Sequence, residues 1–162
     1  MSTVEPLESL SLRPATDEDL NSILLIEHKI HQAPWSEESF RAELTKPYSH
    51  FLVLTDDETD SKIAGYVIYW LLHEDAQILN IGVDLPFRGM GLGRRMVRHV
   101  IGEALRAGFT KLTLDVRKSN LPAIQLYQSL KFAITHVRKG FYTNGEDAYQ
   151  MTLELSGSSL DF

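Results

Sequence analysis

Cysteine is absent from this sequence of 162 residues. Its absence excludes disulfides, thiolate metal sites and a cysteine nucleophile. Also absent is any run of about 18 apolar residues, the length that a membrane-spanning helix requires. The opening stretch MSTVEPLESL has neither the basic start nor the apolar segment of a secretory signal. We therefore expect a cytoplasmic protein with no membrane partner.

Positive charge is also in short supply. The 16 Lys and Arg residues are outnumbered by 22 Asp and Glu residues, which gives a formal net charge of −6. Nucleic-acid binding depends on clustered Lys and Arg side chains that neutralise phosphates. The charge balance therefore argues against a nucleic-acid partner and favours a partner that presents a positive group.

The histidines lack the spacing of a metal site. The chain has six histidines, and no two of them form a His-x-x-x-His pair, which would place both imidazoles on one face of a helix. The closest pair, His28 and His31, lies three residues apart at the end of a predicted helix. We expect both to be solvated polar side chains, and we predict that the protein binds no metal.

The length of the chain suits one domain with a hydrophobic core and is short for two. The hydrophobic fraction of 43% and the charged fraction of 23% are those of an ordinary globular protein. Only the two ends look loose in composition. We predict a flexible N-terminal arm over residues 1–9, a domain over residues 10–155, and a flexible C-terminal tail over residues 156–162.

Hydrophobic periodicity and capping signals predict an alternation of strands and helices. Thr16 with Asp19 resembles a capping box, Ser36 is a second helix cap, and Gly108 ends a long helix that should bury one face from Leu92 to Leu105. We predict helices after Thr16 and Ser36 and over residues 91–107 and 120–130, and strands over residues 10–13, 51–55, 63–72, 77–83, 111–116, 132–138 and 148–155. This order predicts an α/β fold with a mixed, partly antiparallel central sheet flanked by helices.

A glycine-rich segment lies between a predicted strand and the start of the long helix, and it reads Arg88-Gly89-Met90-Gly91-Leu92-Gly93. The first N–H groups of a helix have no partner inside the helix, and the helix dipole is positive there. Glycine also lets a phosphate group approach the main chain closely. The segment is therefore a candidate anion site.

Three classes of nucleotide site use such loops, and the spacing separates them. A P-loop requires Gly-x-x-x-x-Gly-Lys-Ser/Thr, but Gly89 and Gly93 are one residue too close and Arg94-Arg95 follows them. A dinucleotide fingerprint requires Gly-x-Gly-x-x-Gly, but its last position falls on Arg94 or Met96. The third pattern, Arg/Gln-x-x-Gly-x-Gly/Ala, fits at every fixed position.

This third pattern is the pyrophosphate loop of the GCN-five-related N-acetyltransferases, the GNAT family, and the sequence resembles that family along most of its length. A strand, Leu79–Val83, precedes the loop, and an amphipathic helix follows it. The run Ala123–Phe132 resembles the family signature Ala-x-x-Leu-Tyr-x-x-x-Gly-Phe, with Lys131 where glycine is usual. The resemblance implies a single-domain GNAT-like fold and acetyl-coenzyme A (acetyl-CoA) as the co-substrate.

The resemblance also implies which residues contact the cofactor. Backbone N–H groups of residues 89–94 would hold the pyrophosphate, and Arg88 and Arg94 would add positive charge. The strand Ile81-Gly82-Val83 would lie beside the pantetheine arm, and the Val83 N–H would polarise the thioester carbonyl. Asn120 would be a further contact.

Two other stretches resemble branches of the family that acetylate protein N-termini. Pro34-Trp35-Ser36 resembles the RimI type, the ribosomal-protein-alanine N-acetyltransferases. Residues 138–151 resemble both the RimI type and the catalytic subunits of NatA-type enzymes, whose Gly-Glu-Asp-Ala-Tyr run they share. The resemblance implies that the acceptor is a protein N-terminus, such as that of a ribosomal protein, and that it is bound by Trp35, Glu37, Glu38, Tyr142 and Glu146. Alternatively, the acidic residues only solvate two surface turns, since Asn144-Gly145 is a strong hairpin signal.

By the same resemblance, two residues would carry the chemistry. Asp115 would be the base that takes the proton of the amine, at a position where the RimI type has glutamate. The shorter side chain leaves a water relay, or Glu37 or Glu38 as the base, open. Tyr127 would give a proton to the leaving thiolate, because the pKa of a solvated tyrosine, about 10, is close to that of a thiol.

Each of these two residues also has a purely structural alternative. Asp115 could be a hydrogen-bonded carboxylate at a strand position, and Tyr127 could belong to a core stripe at positions 124, 127 and 130. Because cysteine is absent, we expect direct transfer from acetyl-CoA to an amine in a ternary complex. Two alternative functions remain open: a lysine side-chain or small-molecule amine acetyltransferase of the same fold, and a non-catalytic coenzyme A-binding sensor.

Overall fold

The computed structural model describes residues 9–56 and 62–156. The predicted N-terminal arm and C-terminal tail lie outside the described residues, except for Ser9 and Ser156. Their boundaries therefore stay predictions. Among the helices of the described residues, none has the length and apolar character needed to cross a bilayer.

The order of strands and helices agrees with the order predicted from the sequence. The elements are, in chain order, β1 (Leu10–Pro14), α1 (Leu20–Ile30), α2 (Glu37–Glu43), β2 (Ser49–Asp56), β3 (Ile63–Leu72), β4 (Asp75–Val83), α3 (Leu92–Arg106), β5 (Lys111–Arg117), α4 (Leu121–Ser129), β6 (Ala133–Arg138) and β7 (Ala148–Glu154). Two short 3-10 turns, Asp17–Asp19 and Leu85–Phe87, precede α1 and follow β4.

The strands form one seven-stranded sheet in the order β1-β2-β3-β4-β5-β7-β6. β1 pairs with β2 in antiparallel orientation, and β7 pairs with both β5 and β6 in the same way. β4 and β5 are parallel, with Ala76 opposite Leu112. A parallel pair needs a crossover connection, and α3 supplies it. The predicted mixed sheet is confirmed.

The helix starts follow the predicted capping residues. Asp19 Oδ2 accepts the Thr16 N–H at 2.8 Å, so the predicted capping box is present, although it opens a 3-10 turn before α1. Ser36 Oγ accepts the Ser39 N–H at 3.1 Å at the start of α2. Such side-chain acceptors satisfy N–H groups that have no partner inside the helix.

The chain divides into two compact units. The first contains the described residues up to Tyr69 together with Asn80–Met96. An aromatic cluster lies at its centre, where the fully buried Phe40 ring is 5.3 Å from Trp35, 5.8 Å from Phe51 and 5.9 Å from Tyr66 between ring centroids.

The second unit contains Trp70–Leu79 and the described residues from Val97 onward. Its strand β5 alternates between buried and half-buried side chains. The buried apolar side chains of this unit include those of Val97, Val100, Ile101, Ala104, Leu112, Leu114, Met151 and Leu153. One expectation for α3 is wrong, because Leu105 is 39% exposed. Leu105 lies in the last turn of α3, at the edge of the buried stripe, so it faces water there.

The end of α4 shows why glycine is usual at position 131 of the run that resembles the family signature. Lys131 adopts a left-handed conformation with φ +79°. Its N–H donates to the Gln128 carbonyl, and the Phe132 N–H donates to the Tyr127 carbonyl, both at 3.0 Å. These two bonds define a Schellman motif, whose left-handed position is usually glycine. Lysine therefore holds a conformation that costs side-chain-bearing residues about 1–2 kcal/mol.

We expect Lys131→Gly to raise the free energy of unfolding. The relief of about 1–2 kcal/mol is partly offset by the greater unfolded-state entropy of glycine, about 0.5–1 kcal/mol, so the net gain is at most about 1.5 kcal/mol. Urea denaturation would measure it. Lys131→Ala is the control, since it removes the charge but keeps the Cβ atom, and it should gain nothing. Equal stability of the two variants would contradict this explanation.

Candidate active site

The glycine-rich segment connects β4 to α3 within the first unit. Gly89 and Gly91 have φ angles of +79° and +76°, in the left-handed region that favours glycine. A Cβ atom added at either glycine would meet no atom within 4 Å. The two glycines are therefore required by backbone conformation rather than by packing, and the space in front of them is open.

The start of α3 presents donors beside this open space. The Arg95 N–H donates to the Gly91 carbonyl at 3.0 Å, which is the bond that opens the helix. The N–H groups of Leu92, Gly93 and Arg94 therefore have no acceptor inside α3. Arg88 is exposed and Arg94 is half-buried. Free N–H groups at a positive helix end, with two arginines in the same segment, are what an anion site requires, and binding of the cofactor there stays a prediction.

Gly82 has a different physical reason to be glycine. A Cβ atom there would lie 2.6 Å from Cζ and Oη of Tyr66 and 2.7 Å from Cδ1 of Ile30. Packing against Tyr66 therefore excludes any larger residue at this position. The neighbouring Ile81 and Val83 are half-buried. Contacts of these three residues with a cofactor stay predictions.

Asp115 lies in β5 of the second unit, with the Arg138 guanidinium of β6 beside it. Arg138 Nε is 3.2 Å from Asp115 Oδ1, but this buried oxygen accepts no well-aligned hydrogen bond from the described residues. Burial raises the pKa of the Asp115 carboxyl, and the Arg138 charge opposes that rise. A buried carboxylate oxygen without a hydrogen bond is costly in a purely structural role, and this favours the functional alternative for Asp115.

Tyr127 satisfies the packing alternative without excluding the functional one. Its side chain is 6% exposed, and its ring centroid is 5.8 Å from that of Phe132. Ile124 and Leu130 are buried as well, so the predicted core stripe exists. Burial raises the pKa of the Tyr127 hydroxyl. The expectation of a pKa close to that of a thiol is therefore wrong, because it took the tyrosine to be solvated.

The connection between β6 and β7 differs from the predicted hairpin turn. The Gly145 N–H donates to the Tyr142 carbonyl at 2.8 Å, which places Thr143 and Asn144 at the centre of the turn. Gly145 follows the turn with φ +86°. Asn144-Gly145 is therefore not the central pair of a two-residue hairpin. The nine residues between β6 and β7 give the turn room to close one position earlier.

Two predicted substrate residues, Tyr142 and Glu146, meet in this turn around Arg117. The guanidinium carbon of Arg117 lies 3.8 Å from the ring centroid of Tyr142, and its Nη1 is 3.0 Å from Glu146 Oε1. Glu146 Oε2 accepts the Ser119 N–H at 3.0 Å. These bonds lower the pKa of Glu146, with the Ser119 contact as the largest cause. Glu146 therefore stabilises this turn, and its contact with a substrate stays a prediction.

The other predicted site residues occupy helix starts. Trp35 is half-buried before α2, while Glu37 and Glu38 are exposed in its first turn. Asn120 caps α4, since its Oδ1 accepts the Ala123 N–H at 3.3 Å. That bond leaves the amide nitrogen of Asn120 for another partner.

Three residues of functional interest were missed by sequence reasoning: Arg117, Arg138 and Glu27. Alternation along β5 could have placed Arg117 on the face of Asp115, but Arg138 depends on strand register. Glu27 has the helical spacing of the apolar Leu20 and Ile23 in α1, and a glutamate on such an apolar face was the available signal. The expectation for His31 is also wrong, because its Nε2 is buried and lies 3.5 Å from Glu27 Oε1, whereas His28 is exposed as predicted.

Within residues 9–56 and 62–156, no group of three or more His, Asp or Glu side chains could hold a metal ion.

Comparison with known proteins adds independent information. The model of the acetyltransferase (GNAT) family matches residues 20–132. A Bacillus subtilis protein assigned provisionally as a [ribosomal protein bS18]-alanine N-acetyltransferase is 37% identical over 141 residues, which are 86% of this chain and 91% of that protein. The [ribosomal protein bS18]-alanine N-acetyltransferase of Escherichia coli K12 is 35% identical over 159 residues, 96% of this chain and 99% of its own.

Solved structures agree. The crystal structure of the Escherichia coli ribosomal-protein-S18-alanine N-acetyltransferase superposes with a TM-score of 0.81 at 34% identity, covering 94% of this chain and 99% of that one. Arabidopsis thaliana NAA60 in complex with acetyl-CoA shares the fold, with a TM-score of 0.81 at 19% identity over 91% of this chain and 99% of that one.

The glycine segment generates a binding prediction. We expect Gly91→Glu to abolish measurable acetyl-CoA binding in calorimetry, because it places bulk and negative charge where the pyrophosphate is predicted. Gly108→Glu is the matched control: Gly108 has φ +87°, a Cβ atom there meets nothing within 4 Å, and it follows the opposite end of α3. It carries the same charge and the same backbone strain, so it should bind normally. Unchanged affinity in a folded Gly91→Glu variant would remove the segment from the cofactor site.

The Asp115–Arg138 pair generates a pH prediction. A base must be ionised, so activity is lost as pH falls through its pKa. Burial raises the pKa of Asp115 and the Arg138 charge opposes that rise, so the removal of this charge in Arg138→Met should move the enzyme's acidic limb of kcat/KM to higher pH. The limb that belongs to the substrate amine is common to both enzymes and stays in place.

Lys139→Met is the control for the pH prediction, because it removes an exposed neighbouring cation and should leave the profile unchanged. An acidic limb at the same pH in wild type and Arg138→Met would show that Asp115 does not set it.

Proposed function

Since the chain belongs to the GNAT family of acetyltransferases and is an acetyl-CoA-dependent N-acetyltransferase, we propose that it acetylates the α-amine of the N-terminal alanine of ribosomal protein bS18. The choice of substrate is inferred from the likeness to two bS18-alanine N-acetyltransferases, at 35–37% identity over most of each chain. The reaction joins the amine nitrogen to the acetyl carbonyl carbon, breaks the carbon–sulfur bond and releases coenzyme A.

The cofactor half of the reaction is assigned to the first unit. The free N–H groups at the start of α3 hold the pyrophosphate, and Arg88 and Arg94 offset its charge. The left-handed glycines keep side chains out of that space. The strand Ile81–Val83 lies along the pantetheine arm, where the Val83 N–H polarises the thioester carbonyl. These roles are proposed from the resemblance, and the open loop supports them.

The proton chemistry of the amine favours an N-terminus over a lysine. An α-amine has a pKa of about 7.7–8.0, so roughly a tenth or more is neutral at pH 7, whereas a lysine amine near pKa 10.4 is almost wholly protonated. An N-terminus therefore needs only a modest base. We assign that base to Asp115, directly or through one water molecule, because its burial raises its pKa and so strengthens it as a base.

Protonation of the leaving thiolate is assigned to Tyr127. Burial raises the pKa of its hydroxyl and keeps it protonated, so it is available as a donor. The same burial disfavours the tyrosinate anion. Proton transfer from Tyr127 therefore requires that negative charge has fully developed on the leaving sulfur. With no cysteine to carry an acetyl group, transfer is direct from acetyl-CoA to the amine.

The acceptor peptide is assigned to two polar segments. Trp35 with the exposed Glu37 and Glu38 offers an aromatic surface and negative charge for a cationic chain end. Tyr142 is fixed by the stacked Arg117, which is itself held by Glu146. An aromatic side chain held in this way is a rigid contact for a peptide main chain.

Two synthetic peptides test the substrate. One begins with alanine and has a free α-amine, and the other is acetylated there and offers an internal lysine. At pH 7.5 the difference in neutral amine alone predicts turnover at least about a hundredfold faster on the first peptide. Consumption of acetyl-CoA measures both. Equal or faster acetylation of the lysine peptide would instead establish a side-chain acetyltransferase, and binding of acetyl-CoA without turnover on any amine would indicate a sensor.

A further inference from the structure

The first unit contains a buried carboxylate to which the proposed chemistry gives no role. Glu27, in α1, is 1% exposed. Its Oε1 accepts the Tyr66 hydroxyl at 2.5 Å and the Asn80 amide at 3.1 Å. Its Oε2 accepts the main-chain N–H of Trp35 at 2.9 Å. One side chain therefore connects a helix, two strands and the segment between α1 and α2.

The connected segments are those to which the proposed function assigns roles. Asn80 directly precedes Ile81–Val83, the strand beside the proposed thioester. Trp35 belongs to the proposed acceptor surface and directly precedes Ser36, the cap of α2. Tyr66 is the residue that excludes a side chain at Gly82. Glu27 thus lies between the part of the unit assigned to the acetyl donor and the part assigned to the acceptor.

The three donors to Glu27 differ in how firmly the surrounding structure holds them. Tyr66 and Asn80 lie in strands, and burial together with the Glu27 charge raises the pKa of Tyr66, so the tyrosine remains a donor. Trp35 lies in the short segment between Ile30 and Ser36, whose Gln32 and Ala33 are exposed. The Trp35 N–H therefore depends on Glu27 more than the strand donors do.

We infer that Glu27 is a positioning residue that fixes Trp35, and with it the acceptor side of the site, relative to the strand Ile81–Val83. This inference rests on the proposed function. Glu27 touches neither substrate nor cofactor; it acts through Trp35. The buried Nε2 of His31, 3.5 Å from Oε1, is a fourth polar atom that faces the carboxylate.

The test is Glu27→Gln, which keeps the shape of the side chain but leaves one acceptor oxygen for three donors. The Trp35 N–H should be the donor that is lost. We expect KM for an alanine-terminated peptide to rise about tenfold to a hundredfold, the range for loss of a hydrogen bond to a charged group. The dissociation constant of acetyl-CoA should stay the same.

Glu43→Gln is the matched control. Glu43 is also buried, and it accepts bonds from Lys46 and Ser49 in the same unit, neither of which involves Trp35. It should lower thermal stability without changing the peptide KM. If both variants lower stability and neither changes KM, Glu27 is merely structural and the inference is wrong.

A spectroscopic measurement separates this inference from the proposed function. Trp70→Phe leaves Trp35 as the single tryptophan of the chain, and acrylamide quenching of Trp35 should increase when Glu27→Gln is added. Unchanged quenching in a folded variant would overturn the inference. If the wild type fails to acetylate the peptide, the proposed function fails, while quenching still reports on the hold of Glu27 over Trp35.

Hydrogen exchange in the wild type covers the case in which Glu27→Gln does not fold. The Trp35 N–H should exchange much more slowly than those of Gln32 and Ala33 in the same segment, because only Trp35 donates to a buried carboxylate. Exchange of all three at similar rates would contradict the inference.

Discussion

A carboxylate removed from water must find hydrogen-bond donors, and this requirement organises the first unit around Glu27. An unpaired buried charge is strongly destabilising, so Tyr66, Asn80 and Trp35 are held in the positions that satisfy it. The position of Tyr66 in turn forces glycine at residue 82, beside the strand assigned to the thioester. The glycine segment that follows β4 then opens α3 with free N–H groups. One buried charge is thus linked to the segments assigned to donor and acceptor.

The second unit uses charge differently, on the half-buried face of β5. Leu112, Leu114 and Val116 are buried, so the alternation of the strand turns Asp115 and Arg117 toward the other, more open face. Each of these two residues is paired with an opposite charge, Asp115 with Arg138 of β6 and Arg117 with Glu146 of the turn between β6 and β7. Asp115 is left with an oxygen that accepts no well-aligned bond from the described residues, as suits the base that we propose it to be. Arg117 contacts Asn144, Glu146 and the Tyr142 ring, as suits a support for Tyr142.

Local patterns made most of the fold predictable, and long-range register explains most of what was missed. The cap at Ser36 and the glycine at 108 mark helix ends through contacts a few residues away, and both were predicted correctly. Arg138 comes beside Asp115 only through the pairing of β5, β7 and β6, which no local pattern encodes. The burial of Tyr127, which changes its acidity, and the contact of His31 with Glu27 depend on packing in the same way. Lysine at position 131, where the family signature has glycine, was apparent from the sequence. The strain at this position follows only from the backbone conformation.

The decisive experiment for the proposed substrate is mass spectrometry of intact ribosomal protein bS18. The protein, with alanine as its first residue, would be incubated with acetyl-CoA and this enzyme, and fragmentation would locate any added group. We predict one acetyl group, on the α-amine of the alanine, and none on the lysine side chains. Acetyl groups on lysines with a free N-terminus, or no acetylation by an enzyme that binds acetyl-CoA, would contradict the proposal.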